Sequence, residues 1–253
     1  MKVDSHVQLP KSIINNFRIS KENGNVYVLN LDTREIEEKG PKKIGIKYGH
    51  YNEMIEELLC KKYEHPLSLI KNKLEKWNQD HAAGMLSEEE IETIKSFLKM
   101  LICRDPQMIE DVYSGSVLAK FFGIKPSASD IVRYADKINL NNKYFADNYP
   151  VIIFNNTKVP FVTSISGVYL WKSEFGGNNW WFPLTPIIAI HFVDKYVFEE
   201  MYNNSTCADL FCEDEVKQMN KNIMLQDKSI FRIIISNDKN ELERLNYDVI
   251  HSK

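Results

Sequence analysis

The chain has 253 residues, 43% of them hydrophobic and 26% charged, with a formal net charge of -3, a composition of ordinary globular type. No apolar run approaches the roughly 20 residues of a membrane-spanning helix, and ten Gly and nine Pro are too few for a fibrous or low-complexity chain. Residues 1–150 hold 22 basic and 22 acidic side chains and residues 151–253 hold 10 and 13, which together make the chain's 32 and 35. Neither part is an extended basic arm living on phosphate contacts, although a small basic groove is compatible with this balance.

In chain order, residues 7–17 read as a short helix or an extended segment, with Pro10 at a first helical position. Glu22-Asn23-Gly24-Asn25 is a turn signal followed by the strand formers Val26–Leu31, which predicts a hairpin from about Phe17 to Ile36. Met54, Ile55, Leu58 and Leu59 share one face of a helix over about 52–63. Pro66 restarts a second helical piece carrying Leu69, Ile70, Leu74 and Trp77. Ser87-Glu88-Glu89-Glu90 forms a capping box that opens a helix lined by Ile91, Ile94, Phe97, Leu98, Leu101 and Ile102 and stopped by Pro106. A further helix is expected over about 107–121 and a loop over 137–148.

After Pro150 the texture changes. Short strands are predicted at 151–154, 159–163, 168–171, 180–184 and 187–192, a helix at 213–226, and the best buried strand at Phe231–Ser236. The expected architecture is α+β: an N-terminal hairpin, a helical middle and a sheet-rich C-terminal part, organised as a single domain with a subdomain boundary near Pro150.

The common catalytic and phosphate-binding signatures are absent. Glu215-Val216-Lys217 matches only the tail of a nuclease motif. Glu53, Glu57 and Glu64 lie within about 40° of one another on a continuous helix, either as a solvated face or as a carboxylate stripe for a divalent metal or acid–base work. Arg104 borders the apolar face of its helix. Its guanidinium needs a carboxylate, for which Glu64 is the expected partner, or a bound anion. His6 is either structural or a general base suited to neutral pH. His191 reads as a satisfied core histidine. Trp171, Trp180 and Trp181 read as core or as a stacking platform. The four cysteines, Cys60, Cys103, Cys207 and Cys212, read as reduced thiols.

Several segments together resemble one bacterial family, domain of unknown function 4238. They are His6-Val7-Gln8-Leu9-Pro10 with Ile13-Ile14-Asn15-Asn16-Phe17; Asn23-Gly24-Asn25-Val26-Tyr27-Val28; Tyr51, Glu56, Leu59 and Glu64; Leu86-Ser87-Glu88-Glu89 with Arg104-Asp105-Pro106; and Phe161-Val162-Thr163-Ser164 with Phe182-Pro183-Leu184-Thr185-Pro186. The chain departs from the family pattern after Ser164, where Ile165-Ser166-Gly167 stands in place of Asp-Asn-Pro, and in the spacing of His6 from Pro10. The family carries no assigned reaction. By analogy the resemblance implies a cytoplasmic defence or toxin-type effector. Its sharpest enzymatic version is a metal-independent RNase in which His6 is the base, Arg104 holds the phosphate and Glu64 orients one of them. The competing expectation is a non-enzymatic binding or sensor module that meets a protein or small-molecule partner near Trp171–Trp181. The expected partner is RNA or a protein, with no cofactor, no metal and no membrane. Convergence of His6, Glu64 and Arg104 in one open cavity would discriminate the two.

Overall fold

A computed structural model describes residues 2–82, 84–105, 129, 132, 148–172, 177–227, 229 and 231–251. The helix expected over 107–121 lies outside the described residues, as does the loop over 137–147.

Strand β1 (Lys2–His6) pairs antiparallel with β4 (Ile46–Asn52), His6 facing Ile46. Between them come α1 (Lys11–Ile14), entered through an extended Pro10, a 3-10 turn at Asn15–Phe17, and the hairpin of β2 (Val26–Asn30) and β3 (Ile36–Lys39). Asn23-Gly24 closes a loop ahead of β2, with the Ile19 N–H donating to the Asn25 carbonyl. The hairpin's own turn lies at residues 31–35. There the Asn30 side chain accepts from the backbone N–H groups of Asp32 and Thr33, and Arg34 is left-handed at φ 62°.

Helix α2 (Glu53–Leu59) opens on Asn52, whose side chain accepts the Ile55 N–H at 3.0 Å. It continues through a π-helical turn (Cys60–Glu64) into α3 (His65–Gln79). Pro66, which has no N–H to give to this continuous run, lies in the first turn of α3, directly after the π-helical turn. The capping box at Ser87 and Glu90 starts α4 (Glu88–Arg104), and Glu90 also pairs with Lys73 at 2.7 Å, fastening α4 to α3.

The C-terminal part contributes β5 (Tyr149–Asn155), β6 (Thr163–Ser164), β7 (Tyr169–Lys172), β8 (Asn178–Thr185), β9 (Ile188–Val193), α5 (Lys195–Glu200), β10 (Cys207–Leu210), α6 (Glu213–Gln226), β11 (Ile233–Ser236) and α7 (Lys239–His251). One sheet has the order β10-β5-β9-β8-β7, with only β10 and β5 parallel; another has the order β3-β2-β11-β6. The second sheet joins the N-terminal hairpin to the C-terminal strand, so the α+β architecture is closed by pairing residues from the two ends of the chain.

Alternation along the strands sorts side chains into two cores. Ile152, Phe154, Ile190, Phe192 and Ile235 pack with Phe97, Leu98 and Leu101 of α4. Their neighbours Val151, Ile153, Ala189, Val193 and Ile234 pack with Val216, Ile223, Leu242 and Leu245 of α6 and α7. The four- and five-stranded sheets thus bury side chains on both faces. Among the described residues no helix is long and apolar enough to cross a membrane.

Candidate functional site

His6, Glu64 and Arg104 line one cavity of about 360 Å³, together with Glu56, Lys11 and Lys42. Six local elements deliver these side chains: the end of β1, the start of α1, a 3-10 turn at Pro41–Lys43, α2, the π-helical turn and the last residue of α4.

The π-helical turn decides which carboxylates meet. In a regular α-helix, residues eight apart are about 80° apart around the axis. One residue absorbed by the π turn makes that spacing behave as seven, which is about 20°. Glu64 is thereby brought beside Glu56 on the cavity wall. Glu53 and Glu57 point away and are exposed, Glu57 pairing with Lys61 at 2.5 Å. The stripe of Glu53, Glu57 and Glu64 expected for a continuous helix therefore does not form.

Arg104 is 1% exposed. Its Nε donates to the Val7 carbonyl at 3.3 Å, one terminal nitrogen donates to the His6 carbonyl, and the other lies 3.8 Å from the Met100 sulfur. The guanidinium also sits over the Tyr51 ring, 5.3 Å from its centroid. This corrects the expected pairing with Glu64, which instead accepts the Ser12 hydroxyl at 2.6 Å. The helix wheel places the Arg104 stem correctly, but its donors are taken up by the backbone at the end of β1.

The field in the cavity follows from burial and from Arg104. Burial, then the Arg104 charge, and then Lys11 push the His6 imidazole down to about 4, against a hydrogen bond to the Ile44 backbone. His6 is thus neutral at pH 7, and its Nδ1 has no hydrogen-bond partner among the described residues. Burial pushes the Glu56 carboxyl up, Glu64 adds to this, and the Ser5 hydroxyl and Arg104 oppose it. Glu56 Oε1 is buried and likewise has no partner among the described residues. His50 is held down to about 4 by burial, Lys47 and Arg104. Cys60 adds an exposed thiol to the wall.

Thr163 and Ser164 are fully buried, away from this cavity. Ile165 replaces a polar residue of the family pattern with packing. It is fully buried, its carbonyl accepts the Leu9 N–H at 3.1 Å, and it lies against Gly45. A carboxylate does reach this region, but from outside the segment: Asp227 is buried and accepts the hydroxyls of Ser166 at 3.3 Å and Ser229 at 3.0 Å.

His191 Nδ1 lies 2.7 Å from the Tyr202 hydroxyl, while its Nε2 is unpartnered among the described residues, so it is only partly satisfied there. Trp180 belongs to the first core; Trp171 and Trp181 line a second cavity. The four cysteines are free. Glu215 and Lys217 lie on α6, and Lys217 is engaged by Asp214 at 3.1 Å. Among the described residues no three His, Cys, Asp or Glu side chains come together as a ligand set for a metal ion.

The residues absent from the expected site are Glu56, Lys11 and Lys42. Glu56 had a signal, because it belongs to the Tyr51–Glu56–Leu59–Glu64 pattern. The lysines had none, since either position reads as ordinary surface.

Fold and cavity define an α+β protein whose helical half carries a polar cavity with carboxylates, a neutral imidazole and three cations. The profile of the family described as "Protein of unknown function (DUF4238)" matches residues 8–240, and the chain belongs to that family. No curated protein matches the chain, and no solved structure matches it.

Proposed function

We propose that the chain is a bacterial effector of defence or toxin type that acts in the cytoplasm as a metal-independent RNase. Its active site is the cavity of His6, Glu56, Glu64 and Arg104. The supporting observation is the convergence of a neutral imidazole, two carboxyl groups and three cations from six elements on one wall. Neutral His6 takes the proton of a ribose 2′-hydroxyl, and that oxygen attacks the adjacent phosphorus. As the P–O5′ bond breaks, Glu56, whose carboxyl is raised by burial, returns a proton to O5′. A phosphate beside His6 favours the imidazolium and so draws its proton affinity up toward neutrality. Lys11 and Lys42 hold the phosphate oxygens. Arg104 is a positioning residue that supplies positive potential from behind the wall, and Glu64 is fixed by Ser12.

The test is cleavage of a labelled single-stranded RNA by the purified chain with excess EDTA. The expected products are a 2′,3′-cyclic phosphate and a free 5′-hydroxyl. His6→Ala is expected to slow cleavage by roughly 100- to 10,000-fold, and Glu56→Gln to slow it as well. Intact RNA, or equal rates for wild type and a folded His6→Ala variant, overturns the reading. Growth arrest on induction of wild type and not of His6→Ala tests the effector role.

A further inference from the structure

A larger cavity, about 910 Å³, shares no lining residue with the His6 cavity. Its floor is one face of the five-stranded sheet. Ala208 of β10 pairs with Ile153 of β5, and Trp181 of β8 pairs with His191 of β9. Trp171 of β7 completes the floor at the far edge. Residues of α5 and α6, Val197 and Met219 among them, form the sides. The volume is that of a small-molecule site, and so is the character, mainly aromatic and aliphatic with a few polar groups.

Two of those polar groups are unfinished. Trp181 is 3% exposed and, among the described residues, its Nε1–H has no acceptor; His191 is 6% exposed and its Nε2 has no partner among them. Buried donors and acceptors left unmade are costly and rare. The two rings are cross-strand neighbours, 5.5 Å apart and nearly perpendicular, and Trp171 lies 5.1 Å from His191. Burial also pushes His191 down to about 3, against the charge of nearby Asp194, so the imidazole itself is neutral at pH 7. The exposed charges among the lining residues are Lys172, Asp209 and Glu215. An aromatic-lined cavity with one obligatory donor beside one neutral imidazole nitrogen fits a ring ligand carrying neighbouring hydrogen-bonding groups on one edge.

We propose that this cavity binds an uncharged, planar heteroaromatic molecule of two or more fused rings. A ring acceptor on that molecule takes the Trp181 Nε1–H, and a neighbouring group meets His191 Nε2. The site goes beyond RNA cleavage and does not depend on it.

Adenine serves as the probe and naphthalene as the control of similar outline without polar edges. Titration into the full chain is followed by the indole Nε1–H resonances in a nitrogen–proton correlation spectrum. Adenine is expected to move the Trp181 indole signal saturably, and naphthalene to bind at least tenfold more weakly. Trp181→Phe, which keeps a ring and removes the donor, is expected to weaken adenine, followed on the neighbouring amides, by about tenfold, the order of one neutral hydrogen bond. Should that variant fail to fold, Ala208→Trp, which fills the cavity from the β10 side, is expected to abolish the saturable shift. The proposal is overturned by no saturable shift up to the solubility limit of adenine. It is equally overturned by naphthalene binding as tightly as adenine, by a folded Trp181→Phe that binds adenine as wild type does, or by binding that survives Ala208→Trp.

Discussion

Arg104 is the side chain on which the polar half of the molecule turns, and its replacement separates two effects. Arg104→Met keeps an unbranched apolar stem of similar reach and removes the charge and the donors. The Val7 carbonyl retains the Tyr51 hydroxyl at 3.3 Å, so the loss falls mainly on the His6 carbonyl and on the contact with the Tyr51 ring. One buried acceptor deprived of its donor costs about 1–3 kcal/mol, and a buried cation–π contact contributes about 1–2 kcal/mol. Releasing a buried charge that has no ion pair among the described residues offsets part of this. A net destabilisation of about 3 kcal/mol is expected in urea unfolding at pH 7.5.

The second effect is electrostatic. Arg104 lowers both His6 and His50, so in Arg104→Met both imidazoles titrate above about 4. They remain below 6.5, because burial is the larger cause for each. Arg104→Lys keeps the charge and leaves both titrations close to wild type, although one ammonium cannot reproduce the planar fork. The assay is a pH titration of the imidazole carbon-bound protons by NMR. A wild-type His6 that titrates near 6.5, or one unmoved in a folded Arg104→Met, refutes the account of the cavity's field.

Three further outcomes are expected. His6, His50 and His191 are held down to about 4, 4 and 3, so the unfolded chain binds more protons below pH 6.5. Stability is then fully present above 6.5 and falls as pH drops toward those values, by about 2 kcal/mol between pH 7 and 5 for each of His6 and His191 and less for half-exposed His50. The raised carboxyls of Glu56 and Asp227 work in the opposite sense at lower pH. Urea midpoints that stay flat from pH 7 to 5 contradict this. Gly167→Ala is expected to cost about 1–3 kcal/mol by thermal unfolding, because Gly167 has φ +72° and an added Cβ lies 2.6 Å from Leu9 Cδ1. Gly24→Ala, with nothing within 4 Å, is expected to stay within about 0.5 kcal/mol of wild type.

What could be read from the residues was what short-range chemistry determines. The Ser87–Glu90 capping box, helix 213–226 and the buried strand ending at Ser236 depend on neighbours within a few positions, and each lies where its pattern puts it. The hairpin is present, but its turn falls at residues 31–35 and not at Asn23-Gly24. An Asn side chain capping the turn and an Arg in the left-handed region carry no compositional mark, whereas Asn-Gly does. Strands β1 and β4 were not legible, because neither has a clean alternation and each is stabilised by the other across more than 40 residues. Without β1, nothing could show that Arg104 would find carbonyl oxygens at its end in place of a carboxylate.

The carboxylates of the cavity make the same point more sharply. A helix wheel drawn through residues 53–64 assumes 3.6 residues per turn throughout, and on that assumption Glu64 belongs with Glu53 and Glu57 on a solvated face. One π turn at Cys60–Glu64 shifts everything after it by about a residue's rotation. That shift exchanges Glu57 for Glu56 as the companion of Glu64, and an exposed stripe becomes a part-buried pair lining one cavity with His6. It also places a carboxyl raised by burial in the same cavity as an imidazole lowered by burial. Oppositely perturbed neighbours of this kind are what proton transfer in both directions requires. The pattern Tyr51–Glu56–Leu59–Glu64 already contains the two glutamates that meet, and omits the two that do not. Its spacing of eight is awkward for an α-helix and natural for a helix with one residue too many, so an irregular spacing of polar residues inside an otherwise regular helical run is itself the sequence signal for the site.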